Sequence, residues 1–176
     1  MDLYDLYARG SEWTLTKAPL ATTRLDDPTP CDAWDVRTLM NHMVDTQRYF
    51  IGAAKGREVS PPAENPPELL GDDPLADFAD VRLAALRAFA GDGVIEKTGP
   101  MLGIAFSDQL LHGWDLARAT GQNEAMPEGL AASAYEIIHG AFTDEQRQGV
   151  FGPEIAVPDS ASAQARLLGY TGRDPG

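Results

Sequence analysis

The chain has 176 residues, 43% of them hydrophobic, with 14 basic against 27 acidic side chains and a formal net charge of −13. That length suits one helical domain over 1–176 with a substantial core, and no run is apolar for long enough to span a bilayer. The acidic balance, with no basic cluster, excludes binding to nucleic acid through its phosphates and disfavours anionic membrane surfaces. The expected partner is therefore a small-molecule substrate or a protein, with a homodimer left open. The start, Met1-Asp2-Leu3-Tyr4-Asp5, lacks the basic and apolar regions of a signal peptide, and a single cysteine agrees with a reducing compartment, so a cytoplasmic location is expected.

Helical spacing dominates the chain, and sustained alternation of period two is missing. Residues 2–18 carry Leu3, Leu6, Tyr7, Trp13 and Leu15, with Pro19 as a stop. Asp35 caps a second helix running to about 54, with Val36, Leu39, Met40, Met43 and Val44 as its main stripe. Asp73 followed by Pro74 opens a third, since proline suits the first helical position; it ends near Gly91 and buries Leu75, Phe78, Ala79, Leu86 and Phe89. A fourth spans 102–120 with Gly121 as a left-handed cap. A fifth covers 127–142, residues 150–159 form an extended connection, and a short C-terminal helix lies near 160–169. Between these elements, the 20–34 loop joins the first two helices. The 55–73 loop, with four prolines and two glycines, is long for a compact bundle and carries no assigned role.

On the fourth helix, Asp108 and His112 stand four residues apart and project from one face, among Met101, Ile104, Ala105, Leu111 and Ala119. A carboxylate and an imidazole in dry surroundings need a strong partner. A divalent metal is one, and a structural hydrogen bond between the two is the plainer alternative. His42, offset from the main stripe of the second helix beside Leu39, Tyr49 and Phe50, can face the same interior. Together the three offer two nitrogens and one oxygen on one side of an ion, with positions left open. Asp115, one further turn along, is a candidate to orient a ligand, to act as a general base or to pair with an arginine. His139 reads as a core or supporting histidine, or as a fourth ligand in a closed site. Trp34 and Trp114 read as core anchors, and Cys31 as a buried, inert thiol. Arg82, which interrupts the stripe of the third helix, either reaches to water, meets an acid inside, or binds an anionic substrate or cofactor.

The segment Thr29-Pro30-Cys31-Asp32-Ala33-Trp34-Asp35-Val36-Arg37, followed by Leu39 and His42, is paired with Asp108 and the run from His112 through Trp114 and Asp115 to Gly121. This pairing resembles a metal-binding family of DinB-like four-helix bundles, and is similar to the N-terminal domain of mycothiol-dependent maleylpyruvate isomerase. The resemblance covers most of the chain, including Phe151-Gly152-Pro153 and Asp159-Ser160-Ala161. It implies an all-α bundle with a short extra C-terminal helix and a divalent metal on His42, Asp108 and His112. Zinc suits that donor set best, with nickel, manganese and iron also accepted. It also implies a low-molecular-weight thiol, such as mycothiol or bacillithiol, as cofactor for S-transferase or isomerase chemistry. The isomerase continues into a separate C-terminal domain and this chain ends at residue 176 without one, which counts against isomerase activity more than against metal binding. The alternatives are a metal-dependent hydrolase and a non-catalytic metal- or ligand-binding protein.

Overall fold

A computed structural model describes residues 1–31, 34–139, 141–148 and 150–176. Asp32 and Ala33 of the first motif, and Gly140 in the fifth expected helix, lie outside the described residues. The helices begin where the capping chemistry puts them. Asp2 accepts from the Asp5 backbone N–H and opens α1, Leu3–Leu15. Pro19 does not stop the chain. It sits in the first turn of a short helix, α2 (Ala18–Ala21), where its missing N–H costs nothing. Asp35 caps α3, Val36–Ala54, accepting from the Thr38 N–H and hydroxyl at 2.8 and 2.7 Å. Asp73 caps α4, Pro74–Phe89.

A short α5, Val94–Thr98, is unanticipated; Gly93 and Gly99 bracket it with φ of 70° and 56°. Then α6 runs Met101–Thr120. Gly121, at φ 68°, ends it as a Schellman turn in which the Gln122 N–H reaches the Ala117 carbonyl at 2.8 Å. The fifth expected helix is shorter than 127–142. As α7 it covers Leu130–Ile138, because Gly129 is left-handed before it and His139 is extended after it. Two more follow: α8, Asp144–Gln148, and α9, Ala163–Tyr170, which is capped by Ser162.

Helices α1, α6, α3 and α4 close a ring in which each packs on its two neighbours, while α7 lies against α6 and α9 against α7. Among the described residues there is no strand, only one bridge between Pro28 and Asp35. The apolar core where these helices meet has Tyr7, Phe89, Phe106 and Trp114 on one side and Leu39, Met40, Met43 and Phe78 on the other. The buried stripe of α4 is displaced from the expected one: Phe78 and Phe89 are buried together with Val81 and Ala85, and Leu75, Ala79 and Leu86 only partly so.

The seam between α1 and α6 depends on Gly113. A Cβ there would stand 2.3 Å from the Thr14 hydroxyl, which itself donates to the Gln109 carbonyl at 2.7 Å. Gly113→Ala is therefore expected to overpack the seam by about 1–3 kcal/mol, lowering Tm by roughly 2–12 °C in calorimetry. An unchanged Tm would show that the two helices have room to part.

The return of the 55–73 loop is pinned to α3. The Asn41 carbonyl oxygen accepts from the Leu69 and Leu70 N–H groups at 2.6 and 3.0 Å, and its amide donates to Glu68 at 2.9 Å.

Candidate metal centre

His42, on α3, and Asp108 and His112, on α6, meet where the two helices face one another. Asp108 Oδ1 lies 3.6 Å from His112 Nε2 and 3.9 Å from His42 Nε2, and the imidazole rings stand at 80° with centroids 5.0 Å apart. The three donor atoms all fall within 4.8 Å of one another. None of these separations is a hydrogen bond, which requires about 2.7–3.2 Å. They are instead close to the about 3.4 Å that separates two ligands of one tetrahedral ion at about 2.1 Å. A direct structural bond between Asp108 and His112 is thus not what the side chains form. The Thr46 hydroxyl, 3.4 Å from His42 Nε2, gives its proton to the His42 carbonyl at 2.8 Å. His42 Nδ1 is buried without a partner among the described residues, and the Trp34 indole covers the ring at 4.7 Å between centroids.

The other face of His112 is fixed by Asp115, which has no exposed surface. His112 Nδ1 and Asp115 Oδ2 are 2.9 Å apart. Arg173, following α9, grips the same carboxylate with Nη2 to Oδ2 at 2.7 Å and Nε to Oδ1 at 2.8 Å. This is a bidentate pair behind a histidine whose Nε2 is left to face the cluster, the arrangement that orients metal-ligating imidazoles. Cys31 Sγ reaches Asp115 Oδ2 at 3.4 Å, and Cys31, His112 and Asp115 form a second close group of donors.

Burial opposes charge on both imidazoles. For His42 it prevails, reinforced by the charge on His112, and the ring is pushed down to about 4. For His112 burial is outweighed by hydrogen bonds with Asp115 and Cys31 and by the nearby carboxylates, and the ring is pushed up to about 10. Burial would raise Asp115, but Arg173 and His112 together hold its carboxyl well below the usual carboxylate range.

The donors line a cavity of about 990 Å³. Its walls come from α3 and α6, from Pro61–Glu64 of the long loop, and from Phe142, Val150–Pro153 and Thr171–Arg173. The long loop, unassigned from sequence, is therefore a cavity wall. Gly172 and Gly152 make the last wall possible. Gly172 has φ 77°, and a Cβ on it would stand 2.7 Å from the Gly152 backbone, so the segment carrying Arg173 can lie directly on the 150–153 segment.

Several residues sit elsewhere than their sequence positions suggested. Arg82 is buried on α4, bonded to Glu12 at 2.6 Å and Ser11 at 3.1 Å; it meets an acid and does not line the cavity of the His–Asp cluster. His139 is exposed, not a core residue, and stacks on Tyr135 at 4.8 Å; it joins neither donor group. Trp34 is a half-buried cavity residue instead of a core anchor, whereas Trp114 is 1% exposed as expected. Cys31 is half-buried and lines the cavity, so it is not sealed in the core. Asp115 does both things proposed for it, orienting His112 and pairing with an arginine, and with both oxygens occupied it is not free to serve as a general base. Arg173 was not found from sequence. The one signal was indirect: a carboxylate at position 115, on the inner face of α6, needed a cation that no nearby residue supplied.

Fold and donor set together define a DinB-like all-α bundle with a cluster of two histidines and one carboxylate between its helices. The chain belongs to the mycothiol maleylpyruvate isomerase N-terminal domain family, whose sequence profile matches residues 8–117. That stretch holds all three donors and Asp115, but not Arg173. The chain is also similar to an uncharacterized protein of Mycobacterium tuberculosis, found in two strains, at 27% identity over 173 residues, covering 89% of this chain and 90% of the relative. No solved structure matches the chain significantly.

Proposed function

We propose that this chain, as one DinB-like domain, binds a divalent metal through His42, Asp108 and His112 and uses it with a thiol of the mycothiol or bacillithiol type in S-transfer or isomerisation. The observation that carries this reading is the convergence of three donor atoms that do not bond one another, in a cavity large enough for a cofactor and a substrate. When bound, a divalent cation favours thiolate over thiol.

The chain's own groups support that chemistry. Asp115 and Arg173 hold His112 so that Nε2 faces the cluster, and burial keeps His42 neutral with a lone pair to offer. His112, whose ring is pushed up to about 10, would give up its Nε2 proton on taking a metal. Two neutral imidazoles and one carboxylate around a dication then leave one positive charge, because the Asp115–Arg173 pair cancels itself. A monoanion such as a thiolate completes that balance. Zinc fits the donors best, with nickel, manganese or iron as the other candidates. Hydrolysis is less well supported, since Asp115 is occupied, and so is a closed structural site, since His139 is remote from the donors. No helix among the described residues is long and apolar enough to cross a membrane, in keeping with a cytoplasmic setting for such a thiol.

The test is elemental analysis of untagged protein, followed by thermal-shift titration with mycothiol and bacillithiol before and after chelation. A thiol at a hundredfold excess over its Kd should stabilise the metal-loaded protein by about 2.7 kcal/mol, roughly 5–11 °C in Tm. Equal stabilisation after chelation would defeat the reading.

A further inference from the structure

Taking the thiol-transfer reading of this site as its basis, we infer that the acceptor for the sulfur is a neutral, apolar electrophile, aromatic or aliphatic, and not a carboxylate. The cavity has a mixed lining. Beside the donors it is walled by Phe50, Met101, Ile104 and Leu111 from the bundle and by Phe142 and Phe151 from the C-terminal part. Ile104 and Met101 stand about one and two turns before Asp108 on α6, and Phe50 about two turns past His42 on α3. Phe142 and Phe151 meet edge to face, with centroids 5.5 Å apart and planes at 86°.

The charges on the lining point the same way. Apart from the two histidines they are Glu64, Asp108 and Arg173. The guanidinium of Arg173 is committed to both oxygens of Asp115. The four residues not described are Asp, Ala and two Gly, so none supplies a cation. With the metal's remaining charge taken by the thiolate, a dicarboxylate entering this space would meet two carboxylates and no free guanidinium or ammonium to replace its hydration. An apolar ring or chain is instead favoured by Phe50, Met101, Ile104, Leu111, Phe142 and Phe151.

The transfer then balances simply. The thiol loses its proton to solvent base, its sulfur forms a C–S bond at the electrophilic carbon, and the bond from that carbon to the leaving group breaks with the electron pair departing on the leaving group.

The test is isothermal titration of the protein, as purified and after chelation, with nitrobenzene as an unreactive neutral ring and with maleate as a dianion. Nitrobenzene should bind both forms alike. Phe151→Ala and Ile104→Ala, each checked for unchanged circular dichroism, should weaken it roughly two- to tenfold, the worth of one aromatic or aliphatic contact. Maleate should bind the chelated protein at least about tenfold more weakly, a difference of about 1.4 kcal/mol. Comparable maleate binding, or nitrobenzene affinity unmoved in both variants, overturns the inference. Protein that holds metal but prefers maleate sinks the inference and spares the metal site. Protein that takes nitrobenzene yet holds no metal sinks the thiol-transfer reading, and with it the acceptor role, leaving only a cavity for neutral ligands.

Discussion

If the proposed site holds a metal, changing His112 to alanine is expected to abolish its binding while leaving the bundle folded. His112 supplies one of only two nitrogens in the cluster, and the remaining pair, His42 and Asp108, is 3.9 Å apart across the gap between α3 and α6. Losing a ligand outright should exceed the roughly 10–100-fold drop in affinity that follows when only a supporting hydrogen bond is broken. Asp115 keeps its bidentate grip on Arg173 in this variant, so no buried charge is orphaned, and Tm measured without metal should fall below wild type by less than in Asp115→Ala. His139→Ala is the control. That ring is exposed and stacked on Tyr135, and its loss should leave metal content unchanged by plasma mass spectrometry. Stoichiometric metal in His112→Ala would remove the basis for the proposed chemistry.

Asp115→Ala should be the more damaging change to stability. Asp115 is fully buried, and Arg173 is tied to it by two short bonds. Removing one partner of a buried ion pair costs about 3–5 kcal/mol, because the other charge stays desolvated and unmatched. For a chain of this size that is roughly 6–20 °C in Tm. The same substitution frees the His112 ring to rotate, so whatever metal the folded fraction binds should be held about 10–100-fold more weakly. Chemical denaturation and metal titration read the two effects separately. A midpoint within about 1 kcal/mol of wild type would mean that water, not Asp115, satisfies the guanidinium.

The donors and the main helices were legible because each is a local signal. Asp35, Asp73 and Gly121 mark helix ends through bonds to backbone within a few residues, and Asp108 with His112 reads off the helical repeat. Other features depended on contacts between distant parts of the chain. Pro19 looks the same as a stop and as the first turn of a new helix, and only the burial of Ala18 and Ala21 against the bundle decides between them. Helix α7 was drawn too long at its C-terminal end because Phe142 continues the stripe past Ile138, while the left-handed Gly129 and the extended His139 set its limits. Arg173 lies 58 residues from Asp115, too far for any spacing rule. The 55–73 loop is fixed at its return by two side chains, Asn41 on Leu69 and Leu70 and Asp77 on Gly71, which composition does not single out.

The anchoring of Arg173 carries a dynamic consequence. Its guanidinium reaches Asp115 only while α9 stays docked on α7 and Gly172 rests against Gly152. Helices at the periphery of a fold open more readily than its centre, by local fluctuations well below the global unfolding energy. Each such excursion withdraws the clamp behind His112 without disturbing the four central helices. Escape of a bound ion should therefore keep pace with amide exchange in α9 and run ahead of the slower exchange of α6.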